Sequence, residues 1–191
     1  MSSTDRPLRA DARRNRERIM RAAGELFAQR GNDAQMEEIA AHSGLGMGTL
    51  YRHFPNKQAL LTAIVRERFE GMIELARAAE LIDDPGAAFE TILGSYLEAA
   101  EGDAAFQLAL LGSVGFQWAG VAEQKAELAA IVTRIIERAV AAGEVRDDLT
   151  YADFPLITNG VMATMYFRPG GNDDWRRHLQ LLLDRVRTTA D

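Results

Sequence analysis

The chain contains no cysteine. Disulfides, thiolate metal sites and cysteine nucleophiles are therefore excluded together. Histidine is scarce as well, with only His42, His53 and His178 scattered along the chain, so metal chemistry is poorly supplied and no cofactor is expected. No run approaches the roughly 18 uncharged apolar residues of a membrane span, and the opening MSSTDRPLRADARRNR is positively charged without the apolar stretch of a secretory signal. The expectation is a cytoplasmic protein with no membrane partner. Strand-like alternation, internal repeats and low-complexity segments are also missing. What is present, 191 residues of which 47% are hydrophobic, suffices to bury a sizeable core in one compact unit or two small ones.

The net charge of −6 argues against a nucleic-acid partner, but its distribution reverses that reading at one end. Residues 1–60 hold 10 Lys and Arg against 7 Asp and Glu, whereas residues 61–191 hold 12 against 21. Arg6, Arg9, Arg13, Arg14, Arg16, Arg18 and Arg21 are opposed locally only by Asp11 and Glu17. Because salt limits the reach of an exposed charge to about 10 Å, such a stripe can bind phosphates on an acidic protein. It is equally readable as a solvated helix face.

Helical periodicity runs through nearly the whole chain, and the fold class is all-α. Between 11 and 30, Ile19, Ala22, Ala23, Leu26 and Phe27 fall at the spacing of one buried helix face, and Gly31 supplies the stop. A short helix over 34–42 follows, with Asp33 as its expected cap because aspartate is a stronger capping residue than Gln35. The turn Ser43-Gly44-Leu45-Gly46 leads to a third helix over 47–53, which Phe54-Pro55 closes. Asn56 caps a long helix over 57–80. Further helices are expected at 86–101, 103–118, 121–142, 150–167 and 173–188. The acidic pairs Asp83-Asp84, Asp147-Asp148 and Asp173-Asp174 read as caps or solvated turns.

Two short helices joined by a glycine turn, with a preceding helix to bury their inner faces, form a helix-turn-helix unit. Leu50 and Phe54 anchor the second of them, leaving Thr49, Arg52 and His53 on the outer side and Tyr51 at the boundary. The expected organisation is a tail at 1–10, a helix-turn-helix domain at 11–55, and a second helical domain at 56–191 that begins with the connecting helix 56–80.

Residues 13–61 resemble the DNA-binding region of the TetR family of bacterial transcriptional regulators. The residues that carry the likeness are Ile19, Ala22, Ala23, Phe27 and Gly31, then Ile39, Ala40 and Gly44, and above all Gly48-Thr49-Leu50-Tyr51 with His53-Phe54 and Lys57. The stretches GEVRDDLTYADF and DDWRRHLQLLLDRVR are similar to the SbtR-like branch of that family. Departures are Gly46 at the cap of the third helix and Met47 after it, where the family often has polar residues. The resemblance implies a homodimer of about nine helices per subunit, with 11–55 as its DNA-binding domain and 56–191 as its ligand-binding and dimerisation domain, that binds a double-stranded DNA operator and an unknown small-molecule effector.

Resemblance and chemistry together make Thr49, Tyr51, His53 and Lys57 phosphate contacts. Met47 and Arg52 become base readers, Met47 against a thymine methyl and Arg52 bidentate to guanine, beside Gly48. Arg13, Arg14 and Arg16 are expected along the backbone or an adjacent minor groove. Dimerisation is expected through the last two helices. Phe154, Ile157, Val161 and Met165 form one stripe, Gly160, Ala163 and Thr164 a small-residue face, and Leu179, Leu182, Leu183 and Val186 the partner helix. An effector pocket is expected to draw on Phe69, Met72, Tyr96, Phe106, Gln107, Leu110, Phe116, Trp118, Asn159, Met162 and Tyr166, with Asn159 as a buried amide inside an apolar run whose partner is either a ligand or a helix-to-helix hydrogen bond at the dimer seam.

Rival readings carry less. Gly44-Leu45-Gly46-Met47-Gly48 lacks the third glycine of a dinucleotide loop and follows a helix, and Gly112-Ser113 has neither the leading strand nor the partners of a nucleophile elbow. A helical-bundle enzyme lacks a nucleophile, acid and base set. A helix-turn-helix adaptor for proteins remains the alternative to a regulator released from a palindromic operator by a lipophilic ligand.

Overall fold

The computed structural model describes residues 5–101, 103, 118–167 and 174–187. Eight α-helices lie among them: α1 (Asp5–Arg30), α2 (Met36–Ser43), α3 (Met47–His53), α4 (Lys57–Glu80), α5 (Pro85–Ala100), α6 (Ala122–Ala141), α7 (Asp153–Phe167) and α8 (Asp174–Val186). Single 3₁₀ turns stand at Gly31–Asp33 and Trp118–Val121. The helix expected at 103–118 falls almost entirely outside the described residues. The chain divides into two compact units, with the division inside α4 between Val65 and Arg66.

In the first unit α1 buries Ile19, Ala22, Ala23, Leu26 and Phe27, the stripe that its periodicity marks. The helix begins at Asp5, six residues ahead of the expected start at 11. Pro7 is compatible with this because a first-turn residue needs no N–H partner within the helix. Gly31 leaves α1 with φ +56°, the left-handed geometry of a helix stop. A correction applies to the next helix: α2 is capped at Gln35, whose N–H donates to the Glu38 carboxylate at 3.1 Å, and not by the Asp33 side chain. Asp33 contributes only its carbonyl, which accepts from Gln35 Nε2 at 2.8 Å. Asn56 caps α4 as expected, its Oδ1 accepting the Ala59 N–H at 2.8 Å.

The second unit packs α5 on α6 and α7, and α7 on α8. Its core includes Phe89, Ile92, Leu93, Leu97, Leu128, Val132, Ile135 and Val161. Asp84 caps α5 through the Ala87 N–H at 2.8 Å, with Pro85 in the first position. The start of α7 moves from the expected 150 to Asp153, whose carboxylate accepts from both the N–H and the hydroxyl of Thr150. Pro155 explains the shift. In a helix from 150 it would need an N–H and would clash with an earlier carbonyl, whereas in a helix from 153 it sits in the first turn.

Arginines tie α6 to α4 within this unit. Arg134 pairs with Glu80, and Arg138 donates to the carbonyls of Glu80 at 2.7 Å and Ile82 at 2.8 Å. Arg77 pairs with Glu127, and Arg66 donates to the Gly120 carbonyl at 2.7 Å. Two contacts bracket α8 against α5: Trp175 Nε1 donates to Glu101 at 3.0 Å, and Arg187 pairs with Glu90.

Candidate nucleic-acid interface

The turn between α2 and α3 is built from backbone bonds and one arginine. Gly44 takes φ +65°, its N–H reaches the Ala41 carbonyl at 3.1 Å, and Leu45 N–H reaches that of Ala40 at 3.1 Å. Arg18 from α1 then donates to the carbonyl of Ser43 at 2.7 Å. Arg18 thus serves the fold rather than a stripe of free charge. Its partner is a main-chain oxygen, which leaves no trace in residue spacing.

From Gly46 the chain enters α3 with no side-chain cap, held by Thr49 and Leu50 N–H groups on the Gly46 carbonyl. Leu50 and Phe54 are fully buried and fasten the helix to the unit, as their spacing predicts. Phe54 turns extended ahead of Pro55 and ends the helix. Burial of two such side chains contributes roughly 1.5–3 kcal/mol each, which is ample to hold a seven-residue helix that would not persist alone.

The opposite face of α3 is open. Tyr51 is 43% exposed, beyond the boundary position expected for it, Arg52 and Gly48 are exposed, and Met47, Thr49 and His53 are half-buried. Arg52 folds back along its own helix, with Nε on the Gly48 carbonyl at 3.2 Å and Nη2 on the Thr49 hydroxyl at 3.0 Å. Burial, then the charges of Arg16 and Arg52, push the His53 imidazole below its ordinary value. Burial likewise lowers the Lys57 ammonium, against an opposing pull from Asp33, and its Nζ lies 5.5 Å from the centre of the Phe27 ring.

The three arginines expected beside them are disposed differently. Arg16 covers the Phe54 ring at 4.8 Å and so belongs to the α3 surroundings. Arg13 pairs with Glu17 at 3.6 Å and Arg14 with Asp11, both on the exposed surface of α1. Pairs of this kind contribute at most about 1 kcal/mol, so they do not withhold either guanidinium from a phosphate.

Residues 19–64 match the profile of the bacterial regulatory proteins of the tetR family, and residues 84–188 match the C-terminal domain of SbtR-like transcriptional regulators. The chain belongs to the TetR family. A TetR regulatory protein from Mycobacterium vanbaalenii is 31% identical over 95% of this chain and 100% of its own, with a TM-score of 0.66. Another TetR regulator, from Streptomyces coelicolor, is 29% identical over 92% of this chain and 99% of its own, with a TM-score of 0.64. An HTH-type transcriptional regulator of Staphylococcus aureus is 35% identical over 86 residues, 44% of this chain. The chain spans less than half the length of that curated relative, 45%. This TetR protein accordingly pairs an N-terminal helix-turn-helix region with a helical C-terminal region.

The residues expected to line an effector pocket divide. Phe69, Met72, Tyr96 and Met162 are all buried within the second unit, and burial followed by the nearby Tyr151 pushes the Tyr96 phenol upward. Asn159 is a correction. It is exposed, on the face of α7 that also carries exposed Leu156 and Gly160, so it is not a buried amide awaiting a ligand. The helix turns its other face inward through Phe154, Thr158, Val161 and Met162. Phe106, Gln107, Leu110 and Phe116 lie outside the described residues, as do the side chains of Trp118 and Tyr166. For the expected dimer surface, Phe154, Val161, Leu179 and Leu183 are buried within the chain itself, while Leu156 and Leu181 stand 71% and 52% exposed. Among the described residues no helix is long and apolar enough to cross a membrane, and no group of His, Cys, Asp and Glu is arranged to hold a metal ion.

Proposed function

We propose that this TetR-family protein is a homodimeric cytoplasmic repressor, without catalytic activity, released from a near-palindromic operator by a small lipophilic effector. The observation that carries the reading is the open face of α3, where an exposed tyrosine and an exposed arginine stand on a helix fastened by buried Leu50 and Phe54. The fold does not need either group. Duplex DNA uses both, a hydroxyl on phosphate and a guanidinium on a base edge.

In this reading Tyr51, His53 and Lys57 position the protein on phosphates. Met47 and Arg52 face base edges, the bare Gly48 admits the duplex closely, and Arg13, Arg14 and Arg16 follow the adjoining backbone. The exposed face of α7 that carries Leu156, Asn159 and Gly160, beside exposed Leu181 on the neighbouring α8, supports a second copy covering the last two helices. A two-fold dimer then calls for half-sites about 34 Å apart, or a multiple of that. Buried Phe69, Met72, Tyr96 and Met162 support an apolar effector. Its binding weakens operator affinity only if it favours one arrangement of the dimer over the other.

The test is selection of genomic DNA fragments by the purified protein beside an Arg52→Ala, Tyr51→Ala double variant, with native mass measured in parallel. Enrichment of a palindrome by the wild type alone, from a dimer, is expected. Equal recovery by both proteins with no shared sequence, and no steep salt dependence, moves the assignment to a protein-binding adaptor.

A further inference from the structure

A guanidinium offers two bidentate edges, one formed by Nε–H with an Nη–H and one by the two Nη groups at its end. In Arg52 the first edge is occupied by the protein itself: Nε donates to the Gly48 carbonyl at 3.2 Å and Nη2 to the Thr49 hydroxyl at 3.0 Å. The end edge makes no hydrogen bond among the described residues. Thr49, having accepted from Arg52, keeps its own proton to donate.

This arrangement draws the charge back toward the first turn of α3, the part of a recognition helix whose side chains meet base edges. The floor beside it is bare. A Cβ at Gly46 or Gly48 would meet nothing within 4 Å, and neither residue has positive φ. Glycine at Gly48 is thus required neither by backbone conformation nor by packing, although it costs a helix about 1 kcal/mol relative to alanine. The bare surface at Gly48 leaves room for an outside body to approach the helix closely.

Resting on the DNA-binding reading above, we infer that Thr49 is a positioning residue: it locks Arg52 beside Gly48 so that the free end edge of the guanidinium reads guanine O6 and N7. Thr49 then confers selectivity through Arg52 rather than affinity through a phosphate. A loose arginine reaches phosphates and several bases alike, whereas one pinned at two nitrogens presents a single fork in a single plane.

The experiment takes a duplex selected by the full-length wild type from a random library and compares it with duplexes substituted at each base pair. Binding is measured for Thr49→Val, Thr49→Ser, Arg52→Lys, Arg52→Ala and the Thr49→Val, Arg52→Ala pair. Thr49→Val and Arg52→Ala are expected to lose discrimination at the same guanine, by about tenfold or more. Thr49→Ser retains that discrimination. Arg52→Lys loses it but keeps the salt dependence, and the double variant is no worse than Arg52→Ala alone. If Thr49→Val weakens binding equally on every duplex, and its effect multiplies with that of Arg52→Ala, Thr49 is a phosphate contact and the inference falls while the DNA-binding reading stands. A wild type that selects no sequence overturns that reading itself.

Discussion

The guanidinium of Arg18 on α1 donates from Nη2 to the Ser43 carbonyl at 2.7 Å, joining residues 25 positions apart at the turn that aims α3. This bond is charge-assisted and partly buried, and removing it leaves a helix-end carbonyl short of a partner. Arg18→Met is expected to cost about 1.5–3 kcal/mol of stability, read as a lower denaturant midpoint at unchanged slope. DNA affinity drops as well, because the turn that holds α3 slackens. A variant as stable as the wild type would show that the turn holds without the arginine.

Two glycines four residues apart are expected to respond in opposite directions. Gly44 has φ +65°, and a Cβ there would come 2.9 Å from Arg18 Nη2, so Gly44→Ala destabilises by roughly 1–2 kcal/mol. At Gly48 a Cβ meets nothing within 4 Å. Gly48→Ala therefore stabilises the free protein, by up to about 1 kcal/mol, while weakening DNA binding. Thermal melts and DNA titrations of both variants decide it, and unchanged DNA affinity in Gly48→Ala would show that nothing approaches that surface.

His53 is expected to make DNA binding pH-dependent. Burial, Arg16 and Arg52 hold its folded-state pKa below 6.5, so the folded protein binds this proton less tightly than the unfolded chain. The resulting contribution to stability is present above about pH 6.5 and is lost as pH falls through the lowered folded value. Phosphates placed near His53 by bound DNA are expected to act in the opposite sense, favouring the imidazolium, with proton uptake on complex formation. Affinity for DNA is expected to rise as pH falls from about 7.5 to 5.5, and His53→Gln to flatten that rise. Identical profiles for the two proteins would remove His53 from the interface.

At the far end of α4, Arg138 bonds the Glu80 and Ile82 carbonyls at 2.7 and 2.8 Å. Both oxygens belong to the helix end and the turn after it, and both are served by one partly buried guanidinium. Arg138→Met keeps the apolar stem but loses the donors, and about 1.5–3 kcal/mol of stability with them. Chemical denaturation measures the loss directly.

Much of this protein was legible without coordinates because the signals are local. Helix stripes such as Ile19 to Phe27, the anchors Leu50 and Phe54, and the caps Asn56 and Asp84 each depend on residues within about two turns of one another. The open face of α3 followed from them. Misplaced elements failed for equally local reasons: Gln35 capped α2 with help from Glu38 despite being a weak capping residue, and Pro155 admitted α7 only from Asp153.

Side-chain destinations were a different matter. Periodicity marks an apolar stripe and a small-residue face on α7 without saying which one meets the chain's own core, and Asn159 lies on the outward side. Seven arginines between 6 and 21 look alike in sequence. Arg18 nevertheless bonds the turn, Arg16 covers Phe54, and Arg13 and Arg14 pair along α1. Sequence by itself determined the helices, their order and the open face of α3, because backbone hydrogen bonding and 3.6-residue spacing act over short stretches of chain. Only the tertiary structure decided which charges serve the fold and which remain at its surface, because their partners are carbonyls and rings brought close by packing from distant positions.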